Sequence, residues 1–374
     1  MRWRRVALKD VGEIIGGGTP PTKEPANFGD EYSWITPKDL SRQKSRFVEQ
    51  GERSLSKVGL ANSSAKLLPA GTVIISSRAP IGLTSIARVP LATNQGCRNF
   101  IPSDEVDSLF MYYKLGSMTE EFERRANGST FKEISGSTLG AIEIDLPSVL
   151  EQRAIATTLG ALDDKIESNR QVCNHILQLA ENLFVKALEQ GRWVTSVGDV
   201  ATFHNHRRGP LSRNERSRRV GEIPYYGATG VFGYVDEALF DQVLVLVGED
   251  GSVVRDDGGP VLQYIWGPAW INNHAHALTA RTISNETLFI ALNRADIRPI
   301  VTGAVQPKVN MGNLKSLSLE LPKWVEDLQV ELTRLFELYR VRRSENLRLG
   351  RLRDTLLPEL LSGRIRVPVE GADV

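Results

Sequence analysis

Residues 141–152 read AIEIDLPSVLEQ, and residues 316–327 read SLSLELPKWVED. In both, apolar side chains alternate up to a proline, as in a half-buried strand, and beyond it the apolar period lengthens to that of a helix. At one constant offset Gly128 matches Gly303, Ile134 matches Val309, Leu139 matches Leu314 and Ile142 matches Leu317. The register continues through Ile144 with Leu319, Leu146 with Leu321 and Pro147 with Pro322. A repeat on this scale constrains the fold more than any single motif, because each copy must be a supersecondary unit with its own strand end and its own helix.

Past the first proline, Ile155, Leu159, Leu162 and Ile166 follow helical spacing, and the pattern resumes at Ile176, Leu179 and Leu183. The second copy has Leu328, Leu332, Leu335 and Tyr339, then Leu349, Leu352, Leu356 and Leu360. Such spacing draws a narrow apolar seam along one side of a helix, which suits a coiled-coil partner. Ser148 followed by Glu151 has the pattern of a capping box, and Gly191 and Gly363 fall where a left-handed residue would close each helix. The second copy carries Lys323 at the cap position and lacks the glutamine that follows Glu151. Each predicted helix runs about 40 residues, or about 60 Å, against an average of about 11–12 residues. That length predicts a spacer or a coiled-coil arm rather than a core helix. Asn169 and Asn346 interrupt the two seams, either as buried groups that specify register or as solvated side chains.

The chain therefore parses into a globular domain at 1–147, a long helix at 148–191, a second domain at 192–322, a second long helix at 323–363 and a tail at 364–374. The predicted class is α+β: two pseudo-repeated domains of mixed strand and helix, joined by two long helices that pair antiparallel. A pseudo-twofold object of this kind suits a ligand with two separated halves. The length of 374 residues is itself more than one core usually organises. Hydrophobic residues at 41% and charged residues at 24% are those of a soluble globular chain. The basic start MRWRRVALKD lacks a secretory apolar stretch and the longest apolar run is VLVLV at 243–247, so a cytoplasmic protein without membrane contact is expected. Cys97 and Cys173 have no metal-ligand spacing and are expected to be reduced.

Catalytic motifs are missing. No glycine motif of a nucleic-acid methyltransferase occurs, nor an Asn or Asp followed by two prolines and an aromatic residue. IIGGGTPPTK at 14–23 has the glycines of a phosphate loop, but its prolines forbid the helix turn that must follow. Two His-x-His pairs, His204 with His206 and His274 with His276, leave three readings open: a metal site serving a metal-dependent hydrolase, a base- or phosphate-contacting surface, or a hydrogen-bonded structural network. The net charge is +1, but RRGPLSRNERSRR at 207–219 concentrates arginine. Arg207, Arg208 and Arg213 are expected to lie on a mobile basic loop. TNQGCR at 93–98, with Asn94, Gln95 and Arg98, and NNHAH at 272–276, with Asn272 and Asn273, carry the amide groups that pair with adenine edges, although such residues also simply favour turns. Lys38 and Arg78 follow strand-like runs, where loops present side chains to a partner. Tyr226 and Lys308 complete the DNA-contacting candidates. The arginines of the last helix could meet phosphates or an acidic partner, or form a solvated face.

These strings, taken in order, resemble the DNA-specificity subunits of type I restriction-modification systems. The first domain carries VGEIIGGGTPPT, SWITPKDL, LLPAGTVIISSRAPIG and ATNQGCRNF; the second carries IPYYGATGVFGYVDEALFD, VLVGEDGS and WINNHAHAL; LLPELLSGRI closes the chain. The resemblance implies a non-catalytic reader of double-stranded DNA with two target-recognition domains, each reading half of a bipartite asymmetric site. It implies that the long helices measure the spacer and dock two methyltransferase subunits, with Leu159, Leu162, Ile166, Leu335, Tyr339 and Leu352 as candidate docking residues, and that restriction subunits join the complex. No cofactor or metal is expected in this chain: S-adenosylmethionine, ATP and Mg would belong to the partners. A scaffold that has lost DNA binding is the remaining alternative.

Overall fold

The structure, a computed structural model, describes residues 3–43, 45–78, 80–128, 132–303, 306–323 and 325–368. The last six residues of the expected tail, 369–374, therefore lie outside the described residues. The chain forms two compact units: residues 1–168 with 346–374, and residues 169–345. Each combines one globular domain with the adjoining halves of both long helices.

In the first unit a five-stranded sheet runs in the order Gly12–Gly16, Cys97–Pro102, Val73–Ser76, Thr84–Ala87, Phe47–Val48. A three-stranded sheet places Phe28–Ile35 between Arg53–Leu55 and Ala92–Thr93. The second unit has a four-stranded sheet ordered Ala201–Phe203, Ala275–Ala280, Leu244–Gly248, Leu262–Ile265. Its other sheet is ordered Val231–Val235, Ile223–Tyr226, Pro268–Ile271, Phe240–Asp241. The runs VIIS and LVLVG are buried at every position, as continuous apolar stretches require of strands covered on both faces.

The repeated junction closes each domain on its own beginning. Arg4–Ala7 pairs antiparallel with Glu143–Leu146, and Arg192–Ser196 pairs antiparallel with Ser318–Pro322. Ile144 and Leu146 are buried while Glu143 and Asp145 are exposed, and the second copy alternates in the same way. In the first copy the ladder stops before Pro147, which has no N–H to donate; in the second, Pro322 still pairs with Arg192 and the Lys323 N–H donates to Gly191 O at 2.9 Å.

The first long helix spans Val149–Gln190 and the second Glu326–Leu361. At the first start Ser148 Oγ accepts from the Glu151 N–H at 3.3 Å. The stronger clamp is Gln152, which is fully buried: its Nε2 donates to Pro147 O at 3.0 Å and Glu105 O at 3.1 Å, and its Oε1 accepts from the Asp107 N–H at 2.9 Å. The second copy has Asp327 in that place and its helix begins at Glu326, with Trp324 outside the described residues. Gly363 has the left-handed φ of +72° expected at a helix end, whereas Gly191 has φ +153°, outside the left-handed helical basin.

The seams are not reserved for a helical partner, and this corrects the expectation of free-standing arms. In the first unit Ile155, Leu159, Leu360 and Leu361 join the domain core around Phe110 and Phe122. In the second, Ala180, Phe184, Leu332 and Phe336 join the core around Val245 and Leu288. Leu159 and Ile166, expected as docking residues, are buried, so their apolar surface is already covered within the chain. Leu162 is half-buried, and Leu335 and Tyr339 are half-buried against the second core. Leu179 and Leu352 face outward, at 47% and 48% exposure.

Within each unit the helix halves run antiparallel. In the second unit Asn169, only 1% exposed, donates from Nδ2 to Glu345 Oε2 at 2.9 Å, and Cys173 lies against Tyr339. In the first, Asn346 Nδ2 donates to the Ile166 carbonyl at 3.0 Å. Both asparagines therefore make register contacts. Tyrosine, carboxylate and arginine side chains lock helix to domain in each unit. Tyr113 donates to Asp163 at 2.6 Å, and Arg353 donates to the same carboxylate at 2.8 Å. Tyr264 donates to Glu286 at 2.6 Å and accepts from Arg340 at 2.6 Å. Burial, with the carboxylate beside it, holds each phenol well above its ordinary titration range. Among the described residues no helix is long and apolar enough to cross a membrane.

Candidate nucleic-acid interface

Each domain builds the same polar turn. In the first, Ile35 and Thr93 are partners in parallel strands, and the Asn94 N–H donates to Ile35 O at 2.9 Å. Asn94 Oδ1 accepts from the Gly96 N–H at 2.9 Å, which makes the side chain mimic a backbone turn. The Ser77 N–H then donates to Gly96 O at 2.8 Å, and the Ile134 N–H to Ser77 O at 3.1 Å. In the second domain Tyr226 and Ile271 are the parallel partners, and the Asn272 N–H donates to Tyr226 O at 3.0 Å. Asn272 Oδ1 accepts from the His274 N–H at 2.8 Å. The Glu249 N–H donates to His274 O at 2.8 Å, and the Val309 N–H to Glu249 O at 2.8 Å. Bond by bond, Asn94 corresponds to Asn272, Gly96 to His274 and Ser77 to Glu249; by chain order Gln95 then matches Asn273 and Arg78 matches Asp250.

The glycine run at 16–18 serves this turn. The Gly18 N–H donates to Thr93 O at 2.9 Å, and a Cβ on Gly17 would lie 2.0 Å from Asn94 O, so only glycine permits the approach. In the second domain the Gly209 N–H donates to Ile271 O at 3.0 Å.

Beneath the turns the charges are transposed. In the first domain Arg98 donates to Glu133 at 2.8 Å and to the carbonyls of Gln95 and Cys97 at 3.1 and 3.0 Å. Cys97 is buried here, which pushes its thiol up to about 12 and keeps it protonated. In the second domain His276 takes the place of Arg98, as their pairing with Val247 and Ile75 shows, and Lys308 takes the place of Glu133. The carboxylate has moved to Glu249, which binds Arg208 at 2.6 Å and Lys308 at 3.4 Å. Burial alone would raise the Glu249 pKa, but the Arg208 hydrogen bond and the surrounding His276, Arg208 and Lys308 hold it below the usual carboxylate range.

Several candidates are thereby committed to the protein, and these are corrections. Arg208 is a strut: besides Glu249 it donates to the carbonyls of Asn205, Asn273 and Ala275 at 3.1, 3.3 and 2.9 Å. Arg98 is held similarly, by one carboxylate and two carbonyls. Asn272 is 4% exposed and His276 fully buried, so neither reaches a base edge. The basic segment is not a loose loop either. Arg213–Arg218 is a helix with Ser212 and Glu215 as a reciprocal capping box, Arg216 lies over the Tyr225 ring and Arg219 over the Trp270 ring.

The groups that reach solvent are different ones. Gln95, Asn273, His274 and Arg213 are exposed, and Arg78 and Lys308 are about half-exposed. Gln95 accepts from Thr19, Lys38 pairs with Glu52 at 2.7 Å, and Arg207 donates to Leu239 O while lying over Phe240. Tyr226 is half-buried, and burial raises its phenol. In the second domain a cleft of about 490 Å³ is bordered by Arg216, Tyr225, Phe232, Asn273 and His274. Sequence reasoning missed Asp250, which accepts from His274 Nδ1 at 2.6 Å, and Phe232, which is 53% exposed.

Of the paired histidines, His204, His274 and His276 are hydrogen-bonded within the protein. His204 Nε2 meets Thr279 Oγ1 at 2.8 Å; His276 Nε2 donates to Val309 O at 2.7 Å and its Nδ1 accepts from Asn205 Nδ2 at 2.8 Å. Burial lowers the pKa of both rings. Among the described residues no cluster of three or more His, Cys, Asp or Glu could hold a metal ion.

Fold and site thus define a duplicated protein of two mixed α/β domains that presents one turn geometry twice with different side chains. A family model for the type I restriction modification DNA specificity domain matches residues 2–178 and again 192–348. The chain belongs to that family, the specificity subunits of type I restriction-modification systems. It is 30% identical to the type I restriction enzyme MjaIX specificity subunit of Methanocaldococcus jannaschii, over 98% of this chain and 94% of that one. The HindI specificity subunit of Haemophilus influenzae is 33% identical over 45% of this chain and 38% of its own. The crystal structure of a type I S subunit from M. genitalium shares the fold, with a TM-score of 0.60 at 20% identity over 96% of each chain.

Proposed function

We propose that this specificity subunit is the non-catalytic reader of a bipartite, asymmetric double-stranded DNA target, each domain reading one half. Two methyltransferase subunits and the restriction subunits dock on it and carry S-adenosylmethionine, ATP and Mg. The observation that supports this best is the duplicated turn: identical backbone hydrogen bonds in two domains, with different exposed side chains, are what two readers of two different half-sites require. Phosphate contacts from Arg213 and other outward cations supply salt-dependent affinity, while a few turn residues supply sequence choice. The reader acts in the cytoplasm, where its DNA is.

Methylome sequencing of a host expressing the chain with its methyltransferase partner tests the reading. The expected result is adenine methylation at a split motif with an unread spacer. Methylation at a continuous palindrome would refute two-domain reading. No methylation with a partner proven active, together with intact assembly, would leave a scaffold instead.

A further inference from the structure

The two turns superpose bond by bond, but at one place they carry opposite chemistry. We propose that Arg78, lying across Gly96, and the Asp250–His274 pair, which fills the same place in the second domain, choose a base in their respective half-sites: guanine for the first, adenine or cytosine for the second. This rests on the DNA-reading function above.

A Cβ on Gly96 would lie 2.9 Å from Pro37 Cγ, 3.1 Å from Asn94 Oδ1 and 3.2 Å from Arg78 Nε. Arg78 therefore occupies the space into which a side chain at 96 would project. In the second domain the residue at that place is His274, and the position matching Arg78 is Asp250, which holds the ring by Nδ1 at 2.6 Å. An arginine against a glycine has been exchanged, as a set, for an aspartate against a histidine.

Both arrangements reach solvent. The Arg78 side chain is 38% exposed, and its guanidinium is 4.0 Å from the Glu133 carboxylate, a loose pairing that leaves the fork able to turn outward. The His274 side chain is 49% exposed. Arginine offers only donors, in the planar fork that fits guanine O6 and N7 in the major groove. A carboxylate only accepts, so Nδ1 of His274 carries a proton toward Asp250, and in the tautomer with its single proton there Nε2 is an acceptor. An acceptor there fits the exocyclic amine of adenine N6 or cytosine N4. The exposed amides Gln95 and Asn273 flank the two groups at matching positions.

The test is base-preference profiling of the assembled methyltransferase complex on duplex libraries randomised in each half-site. Arg78→Ala is expected to erase a guanine preference of about 10- to 100-fold at one position of one half-site, leaving the other half-site unchanged. Arg78→Lys keeps the charge and the fold but loses the fork, and should lose most of that preference too. His274→Ala should erase an adenine or cytosine preference at one position of the other half-site. Asp250→Asn frees the ring to carry its proton on Nε2 and should shift that position toward guanine. Unchanged profiles, or equal weakening at every position of both half-sites, would overturn the assignment. A wild-type complex with no preference at all would instead overturn the DNA-reading function.

Discussion

Arg208 and Arg213 look alike in the sequence, yet the structure predicts opposite consequences for their loss. Arg208 is 14% exposed and donates to a carboxylate and three carbonyls, two of which, Asn273 and Ala275, belong to the second polar turn. Truncating it leaves Glu249, also 14% exposed, with Lys308 at 3.4 Å as its nearest remaining cation. Breaking a buried pair from one side costs about 3–5 kcal/mol. Because Lys308 partly compensates, the lower end applies, and Arg208→Ala should destabilise the second unit by about 3 kcal/mol. For a unit of this size that lowers the melting midpoint by about 6–12 °C. The sign with pH follows from Glu249: its folded pKa is depressed, so it contributes stability that is present above the ordinary carboxylate range and lost as pH falls through the folded value. Without Arg208 that acid-side loss should shrink. Arg213→Ala removes an exposed side chain and should leave the melting curve within about 0.5 kcal/mol of wild type. If Arg213 meets a phosphate, the slope of log affinity against log salt becomes shallower by about 0.9. Calorimetry of the full chain at several pH values and DNA titrations of the assembled complex at several salt concentrations read both effects. An Arg208→Ala protein that melts like wild type while losing salt-dependent affinity would make Arg208 a phosphate ligand and refute the argument from burial.

Burial lowers the pKa of His276, so the second unit should be fully stable above about pH 6.5 and lose stability as pH falls from there through the depressed value, because protonation favours the unfolded chain. His276→Asn should flatten the melting midpoint across that window; an unchanged slope would show that the ring does not titrate with unfolding. Asn169→Ala removes the donor to Glu345 and should cost about 1–3 kcal/mol in urea unfolding. Asn169→Leu should recover part of that loss, since it refills the volume the alanine leaves with a buried apolar side chain; a leucine variant as unstable as the alanine one would show that the amide contributes more than register.

The duplicated junction was legible because three signals coincide there: alternation in the strand, a proline at its end, and a lengthened period beyond it. The class and the two long helices followed from these alone. The half of each helix that serves each core was not legible. Leu159 and Leu162 have the same period and the same side chain, but only Leu159 is fully buried, because the difference lies in Phe110 and Phe122, which the fold brings from elsewhere in the chain. In the same way Arg208 owes its role to Glu249, a partner 41 positions away.

What a single copy conceals, the comparison of two copies brings out. Glu133 against Arg98 in the first domain has become Lys308 against Glu249 in the second, with His276 in the arginine's place, so the charges beneath the turns changed as a compensated set. Such compensation is what a low-dielectric site demands, since an unpaired charge there is costly. Gln95 and Asn273, which face water beside these networks, are free of that demand and can differ with the target alone. The backbone bonds through Asn94 and Asn272 therefore hold the fold of each turn, and in the function proposed above the outward side chains of the same turn choose the target.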